Sequence, residues 1–152
     1  MNIYKVTDNK KAYMNFLMIA DEQESMIDKY LDRGTMFVLD DDGAVAECVV
    51  TDEGNGVLEI KNIAVIPERH KMGYGKALIN FIEHEYGQCF HTLRVGTGES
   101  PLTIPFYHKC GFTESFRIKN FFTDNYDHPI FECGIQLIDM IYLEKAIAVN
   151  RK

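Results

Sequence analysis

Between Ile63 and Leu78 the chain reads IAVIPERHKMGYGKAL, and its hydrophobic period changes there from that of a strand to that of a helix. An apolar run ends at Pro67, and a turn containing Gly73 and Gly75 follows. From about Gly75 to Tyr86, residues Leu78, Ile79, Phe81, Ile82 and Tyr86 fall on one helical stripe, which Gly87 closes. A strand feeding a helix through such a turn points several free N–H groups at one spot. The helix N-terminus adds partial positive charge, and the two glycines let a ligand approach the backbone with no Cβ in the way. A pyrophosphate is the natural ligand, with Lys71 and Lys76 as nearby countercharge. A plain strand-to-helix turn is the alternative.

The rest of the pattern surrounds this junction with sheet. Residues 2 to 6 alternate weakly as a first strand, and Lys11 to Ile19 and Glu22 to Leu31 carry apolar residues at helical spacing before Gly34. TMFVLD and AVAECVV, joined by DDDG, predict a hairpin; DEGNG then turns the chain into VLEIKNIAVIP. After the helix come a strand at HTLRVGT, a short helix over 102–110 ending at Gly111, and strands around Phe112 to Phe122 and Gln136 to Leu143. The order βααβββαβαββ is a mixed α/β layer on one central sheet. With 152 residues, 46% hydrophobic and 26% charged, the chain suits one domain, 1–152, that needs no disulfide.

Two phosphate-binding patterns fail on residues that matter. The dinucleotide pattern G-x-G-x-x-G needs glycine at Leu78; the loop ending G-K-[ST] needs glycine at His70 and a hydroxyl at Ala77. The hexapeptide His70, Lys71, Met72, Gly73, Tyr74, Gly75 instead resembles motif A of the GNAT superfamily of N-acetyltransferases, [RQ]-x-x-G-x-[GA]. Its context supports the resemblance: I-A-V-x-P before it, L-R-V after the helix, and F-Y-x-K-x-G-F at Phe106 to Phe112, which looks like motif B. It covers roughly residues 35 to 112. The C-terminal half, including VGTGES and NFFTDNYDHPIFECGIQLIDMI, also looks like that of a small group of bacterial members. Two residues depart from the pattern: His70 where Gln or Arg is usual, and Ser100 where many members have Asn.

The resemblance implies the GNAT fold, a mixed, mostly antiparallel central sheet of about seven strands flanked by about four helices. It also implies acetyl-CoA as acyl donor, held by Ile63, Ala64, Val65, His70, Lys71, Met72, Gly73, Tyr74, Gly75, Lys76, Ser100 and Tyr107. A strand bulge near Ala64 and Val65 would free their N–H groups for the thioester. Transfer to an amine needs a neutral nucleophile, an oxyanion donor and a proton for the departing thiolate. Tyr107 matches the family's thiolate-protonating tyrosine; a core aromatic is the alternative. Glu59, eleven residues before His70, matches the general base of histone-type members; a salt-bridged strand carboxylate is the alternative.

Other chemistries fit poorly. Cys48, Cys89, Cys110 and Cys133 form no C-x-x-C pair and are expected reduced and mostly buried, while the His residues lack zinc spacing, so no metal is expected. A net charge of −7 disfavours nucleic acid and suits a cationic acceptor, a small-molecule or peptide amine. No signal peptide or membrane-length apolar run is present, so a cytoplasmic protein without membrane contact is expected. The segment Lys119 to Gly134, with Asp124, Asp127 and Glu132, could border the acceptor pocket, form an ordinary loop, or make a dimer contact. A homodimer is compatible with the aromatic C-terminal strands. The competing function is a non-catalytic acyl-CoA-binding sensor or scaffold, which would bind CoA without turnover.

Overall fold

The structure, a computed structural model, describes residues 1–147; the expected domain limit at 152 lies outside the described residues. The chain opens with β1 (Asn2–Val6), passes through a 3₁₀ turn at Lys10–Tyr13, and enters α1 (Met14–Ala20). The second expected helix is shortened to the single turn α2 (Glu24–Ile27). The Lys10 ammonium donates to the carbonyls of Leu31, Asp32 and Gly34 at 2.9, 3.3 and 2.6 Å and so satisfies backbone oxygens of the turn that follows α2.

Three antiparallel strands follow as expected, β2 (Thr35–Asp40), β3 (Ala44–Asp52) and β4 (Val57–Val65), then α3 (Tyr74–Tyr86), β5 (Thr92–Gly98), α4 (Ile104–Lys109) and β6 (Thr113–Ile118). The C-terminal region departs from the expectation. The chain turns from β6 into a short helix, α5 (Phe121–Asn125), and a small hairpin of β7 (Phe131–Glu132) and β8 (Ile135–Gln136). The final strand β9 (Met140–Ala146) therefore begins four residues later than the pattern implied. Phe122, Ile130 and Leu137 bury one another beneath this insertion and give it its own small core.

Seven strands form one sheet in the order β1-β2-β3-β4-β5-β9-β6, antiparallel everywhere except between β4 and β5. Alternation sends Phe37, Leu39, Cys48, Val50, Leu58, Ile60, Leu93 and Val95 to one face, where they pack under Leu78, Ile79 and Ile82 of α3 and Tyr107 of α4. Each fully buried aliphatic side chain there contributes roughly 1.5–3 kcal/mol. Met36, Val38 and Val49 point to the other face and pack with Leu17 of α1 and Ile27 of α2.

One irregularity positions the site. Val49 pairs with Asn62 while the next residue, Val50, pairs with Ile60, so Lys61 is an extra residue in β4. The insertion shifts the strand's phase. Leu58 and Ile60 face the α3 side before it, and Ile63 and Val65 face the same side after it. Without Lys61, a period of two would turn the last stretch of β4 over.

Candidate active site

The parallel pair β4 and β5 is in register only from Val57–Thr92 to Ile60–Val95. Beyond that point β5 stays with β9 as far as Gly98–Met140, and β4 stays with β3 as far as Val65–Ala46. The two middle strands thus diverge just past the Lys61 bulge. A cavity of about 320 Å³ occupies the fork, with Ile63, Ala64, Val65, Gly96, Thr97 and Gly98 on its two strand walls. Residues from both faces line it, Tyr107 and Thr103 from the α4 side and Asp21 and Ala20 from the α1 side, so the fork opens through the sheet.

Glycine keeps the β5 wall low. A Cβ on Gly98 would lie 2.6 Å from Leu137, and one on Gly96 would lie 2.9 Å from Tyr142. On the β4 wall, the amide of Ile66 donates to the Val45 carbonyl, and Ala64 lies in register with Glu47. Antiparallel alternation then turns the N–H and C=O of Ala64 towards β3 and those of Ile63 and Val65 towards the fork. The expected bulge at Ala64 and Val65 is displaced to Lys61. The backbone groups facing the cavity accordingly belong to Ile63 and Val65. The Val65 carbonyl is taken by His70, whose Nε2 lies 2.8 Å from it; since a carbonyl only accepts, Nε2 carries the proton.

The glycine turn opens at the end of β4. Gly73 caps α3 with φ +88°, a left-handed conformation, and no side chain caps the helix. The first helical hydrogen bond runs from the Ala77 N–H to the Gly73 carbonyl, which leaves the amides of Tyr74, Gly75 and Lys76 without an intrahelical acceptor. Lys71, Met72 and Lys76 are exposed along this edge. The Tyr74 hydroxyl faces the other way, donating to Asp41 and accepting from Arg69 at 3.0 Å, which ties the start of α3 to the β2–β3 turn. Gly75 is buried against α4.

Tyr107 stands on the α4 wall, 5% exposed, its ring held edge-on between Phe106 and Phe112 at centroid distances of 5.2 and 5.6 Å. Gly111, at φ +96°, ends the helix so that the amide of Phe112 returns to the Tyr107 carbonyl at 3.0 Å. Burial first, then the nearby Cys110 and Glu132, push the phenol pKa well up, so Tyr107 holds its proton.

Glu59 and Ser100 sit elsewhere. Glu59 is on the parallel-paired part of β4, 4% exposed, with Oε2 2.8 Å from Lys61 Nζ and Oε1 3.7 Å from Arg94, and it does not line the cavity. Ser100 is buried in the turn before α4, where its Oγ accepts from the Leu102 amide at 3.1 Å. Cys48 and Cys110 are buried, but Cys89 and Cys133 are exposed, against the expectation that most would be inside. Of the 119–134 segment, Phe122, Tyr126, Ile130, Phe131 and Glu132 reach the cavity; Asp124 and Asp127 do not.

Sequence reasoning missed a polar chain on the α1 side. Asn62 Nδ2 donates to the Leu17 carbonyl at 2.9 Å, which fixes the amide orientation, and its second hydrogen goes to the Tyr30 hydroxyl at 3.0 Å. Tyr30 therefore donates its own proton to Asp21 Oδ2 at 3.2 Å, and Tyr126 donates to Oδ1 at 2.7 Å. Beside this chain lies Glu47, wholly buried; among the described residues neither of its oxygens, nor Asn62 Oδ1, has a hydrogen-bond partner. Burial pushes the Glu47 pKa well above the ordinary carboxylate value, which favours its protonated form. Asp21 lies in the link after α1 and matches no motif; only the fold brings it to the fork.

A family model, the acetyltransferase (GNAT) domain, matches residues 32–114, more than half of the chain and all of the fork's strand walls. The uncharacterized N-acetyltransferase YvbK of Bacillus subtilis (strain 168) is 35% identical over 138 residues, 89% of this chain and 88% of that protein. Among solved structures, a GNAT family acetyltransferase from Elizabethkingia anophelis with acetyl-CoA bound superposes with a TM-score of 0.89 at 31% identity, covering 95% of this chain and 97% of that one. A Bacillus subtilis acetyltransferase in complex with CoA superposes with a TM-score of 0.86, also at 31% identity, covering 97% and 99%. The forked sheet, the glycine-capped α3 and these relatives converge: the chain belongs to the GNAT family of acetyltransferases.

Proposed function

We propose that this acyltransferase moves an acetyl group from acetyl-CoA directly to a primary amine within a ternary complex. The observation that carries the proposal is the fork itself, a cavity reached from both faces of the sheet, with Tyr107 on one wall and an acidic, aromatic lining on the other. The donor fits the α3 side. There the unpaired amides of Tyr74, Gly75 and Lys76 and the exposed Lys71 and Lys76 would hold its pyrophosphate, while the fork-facing amides of Ile63 and Val65 would meet the thioester end. When bound, acetyl-CoA supplies the acetyl group as a thioester.

In this reading Tyr107, kept protonated by its surroundings, gives its proton to the departing thiolate. The Ile63 and Val65 amides face the place where oxyanion charge develops. Glu59 is assigned to holding Lys61 and Arg94, because both of its oxygens are engaged and neither reaches the cavity. Ser100 is assigned to starting α4. A cationic acceptor suits both the net charge of −7 and the carboxylates on the α1 side.

A thiol-release assay with acetyl-CoA against aromatic and aliphatic monoamines, polyamines, amino acids and lysine peptides tests the reading. Amine-dependent release of CoA is expected. Binding of acetyl-CoA with no release for any amine would support a non-catalytic sensor instead, and absence of binding would remove the donor assignment.

A further inference from the structure

The α1 side of the fork holds a carboxylate whose setting is unusual. Asp21 is half-buried, lines the cavity, and accepts from two tyrosine hydroxyls, Tyr30 at 3.2 Å and Tyr126 at 2.7 Å. Those two bonds hold the carboxylate between the turn that follows α2 and the end of α5. The Gln23 backbone also hydrogen-bonds to it, and among the described residues no Lys, Arg or His pairs with it. Two more carboxylates line the same cavity, Glu22 and Glu132; Lys61 there is bonded to Glu59 and His70 to the Val65 carbonyl. Glu22 has His128 3.9 Å away, but the cavity still carries an excess of negative charge, and a charge on the half-buried Asp21 costs free energy until a cation enters. Phe122, Tyr126, Ile130 and Leu137 give the same cavity an apolar and aromatic wall.

We propose that Asp21 anchors the ammonium group of the acetyl acceptor and takes its first proton, and that the acceptor is a primary amine carried on an apolar or aromatic body. The inference rests on the acetyl-transfer reading above. The bound ammonium gives one proton to the Asp21 carboxylate, and the freed nitrogen lone pair forms the N–C bond as the C–S bond breaks. The thiolate takes the Tyr107 proton, and the nitrogen's second proton restores Tyr107. Asp21 then releases its proton to solvent, so amine cation and thioester become amide, thiol and one proton. Desolvation, the largest influence on Asp21, outweighs the hydrogen bonds from Tyr126, Tyr30 and the Gln23 backbone and raises its pKa, which makes it a better base than a free aspartate.

The test is calorimetry on the CoA-saturated protein with phenethylamine and its neutral counterpart 2-phenylethanol. Wild type is expected to bind the amine at least tenfold more tightly than the alcohol, and Asp21→Asn to erase that preference while leaving CoA binding within twofold. Equal affinity of wild type for the two probes, or an amine preference that survives in Asp21→Asn, overturns the proposal. Should Asp21→Asn fail to fold, Tyr126→Phe removes one of the two hydroxyls while keeping the ring, and a preference reduced at least threefold is expected; an unchanged preference counts against the role. Failure of wild type to bind CoA at all would instead sink the acetyl-transfer reading, and this inference with it.

Discussion

Gly75 in the first turn of α3 lies so close to Phe106 of α4 that a Cβ added to it would sit 3.0 Å from the ring's Cζ. The helix that would hold the donor and the helix that carries Tyr107 are thus in direct contact through a glycine and a ring. Gly75→Ala forces Phe106 to give by a few tenths of an ångström, a cost set against the roughly 0.5–1 kcal/mol that alanine gains over glycine inside a helix. The variant is expected to fold, to melt within a few degrees of wild type, and to show an acetyl-CoA KM raised about threefold through the displaced Tyr107 wall. Melting curves and steady-state kinetics check it; an unchanged KM would separate the two helices functionally.

Tyr107→Phe keeps the ring between Phe106 and Phe112 and removes only the hydroxyl. A general acid contributes about 10²–10⁴-fold, so kcat is expected to drop by about a hundredfold. The acetyl-CoA KM stays within about twofold, because the hydroxyl acts on charge that develops only in the transition state. Because burial raises the phenol pKa, ionisation of Tyr107 produces no alkaline fall in wild-type activity below pH 10, its ordinary value. A kcat within threefold of wild type would leave Tyr107 a packing residue.

Glu59→Gln removes the negative partner of Lys61 and leaves that ammonium unpaired beside Arg94, which keeps its bond to Glu144. The expected loss is about 2 kcal/mol of stability, seen as a lower denaturant midpoint. Turnover at saturating amine is expected within threefold of wild type, with an unshifted acidic limb in the pH profile. A hundredfold loss of kcat with normal stability would return Glu59 to the role of general base.

The pH dependence of stability should carry the signature of Glu47. Its folded pKa lies above the unfolded value, so between the two the folded state holds a proton that the unfolded chain has released. Stability therefore falls as pH rises through that window, by up to about 1.4 kcal/mol per pH unit. Glu47→Gln mimics the protonated side chain and cannot ionise. Its melting temperature relative to wild type is expected to climb from pH 5 to pH 8; a constant difference would show that Glu47 ionises normally in the fold.

What could be read in the sequence was whatever depends on local pattern. The change of period at Pro67, the glycine turn at Gly73 and Gly75 and the Phe106–Phe112 string each declare themselves within a few residues, and the structure has the strand, turn and helices they imply. Features set by distant partners stayed hidden. Lys10 satisfies the carbonyls of the turn after α2 from more than twenty residues away, and α5 is stabilised by Ile130 and Leu137 rather than by its own five residues. Lys61 looks like any strand lysine until its cross-strand register is known. Asp21 meets Tyr126 across 105 positions of chain, a relationship no spacing rule could propose.

The extra residue at Lys61 also bears on how such a chain can diverge. Because it sets the phase of the last stretch of β4, removing it, or adding a second residue beside it, would exchange Ile63 and Val65 with Ala64 between the α3 and α1 faces. Surface loops absorb changes in length; this strand cannot. Among descendants that keep the fork, β4 should therefore tolerate replacement of its residues but not a change in their number.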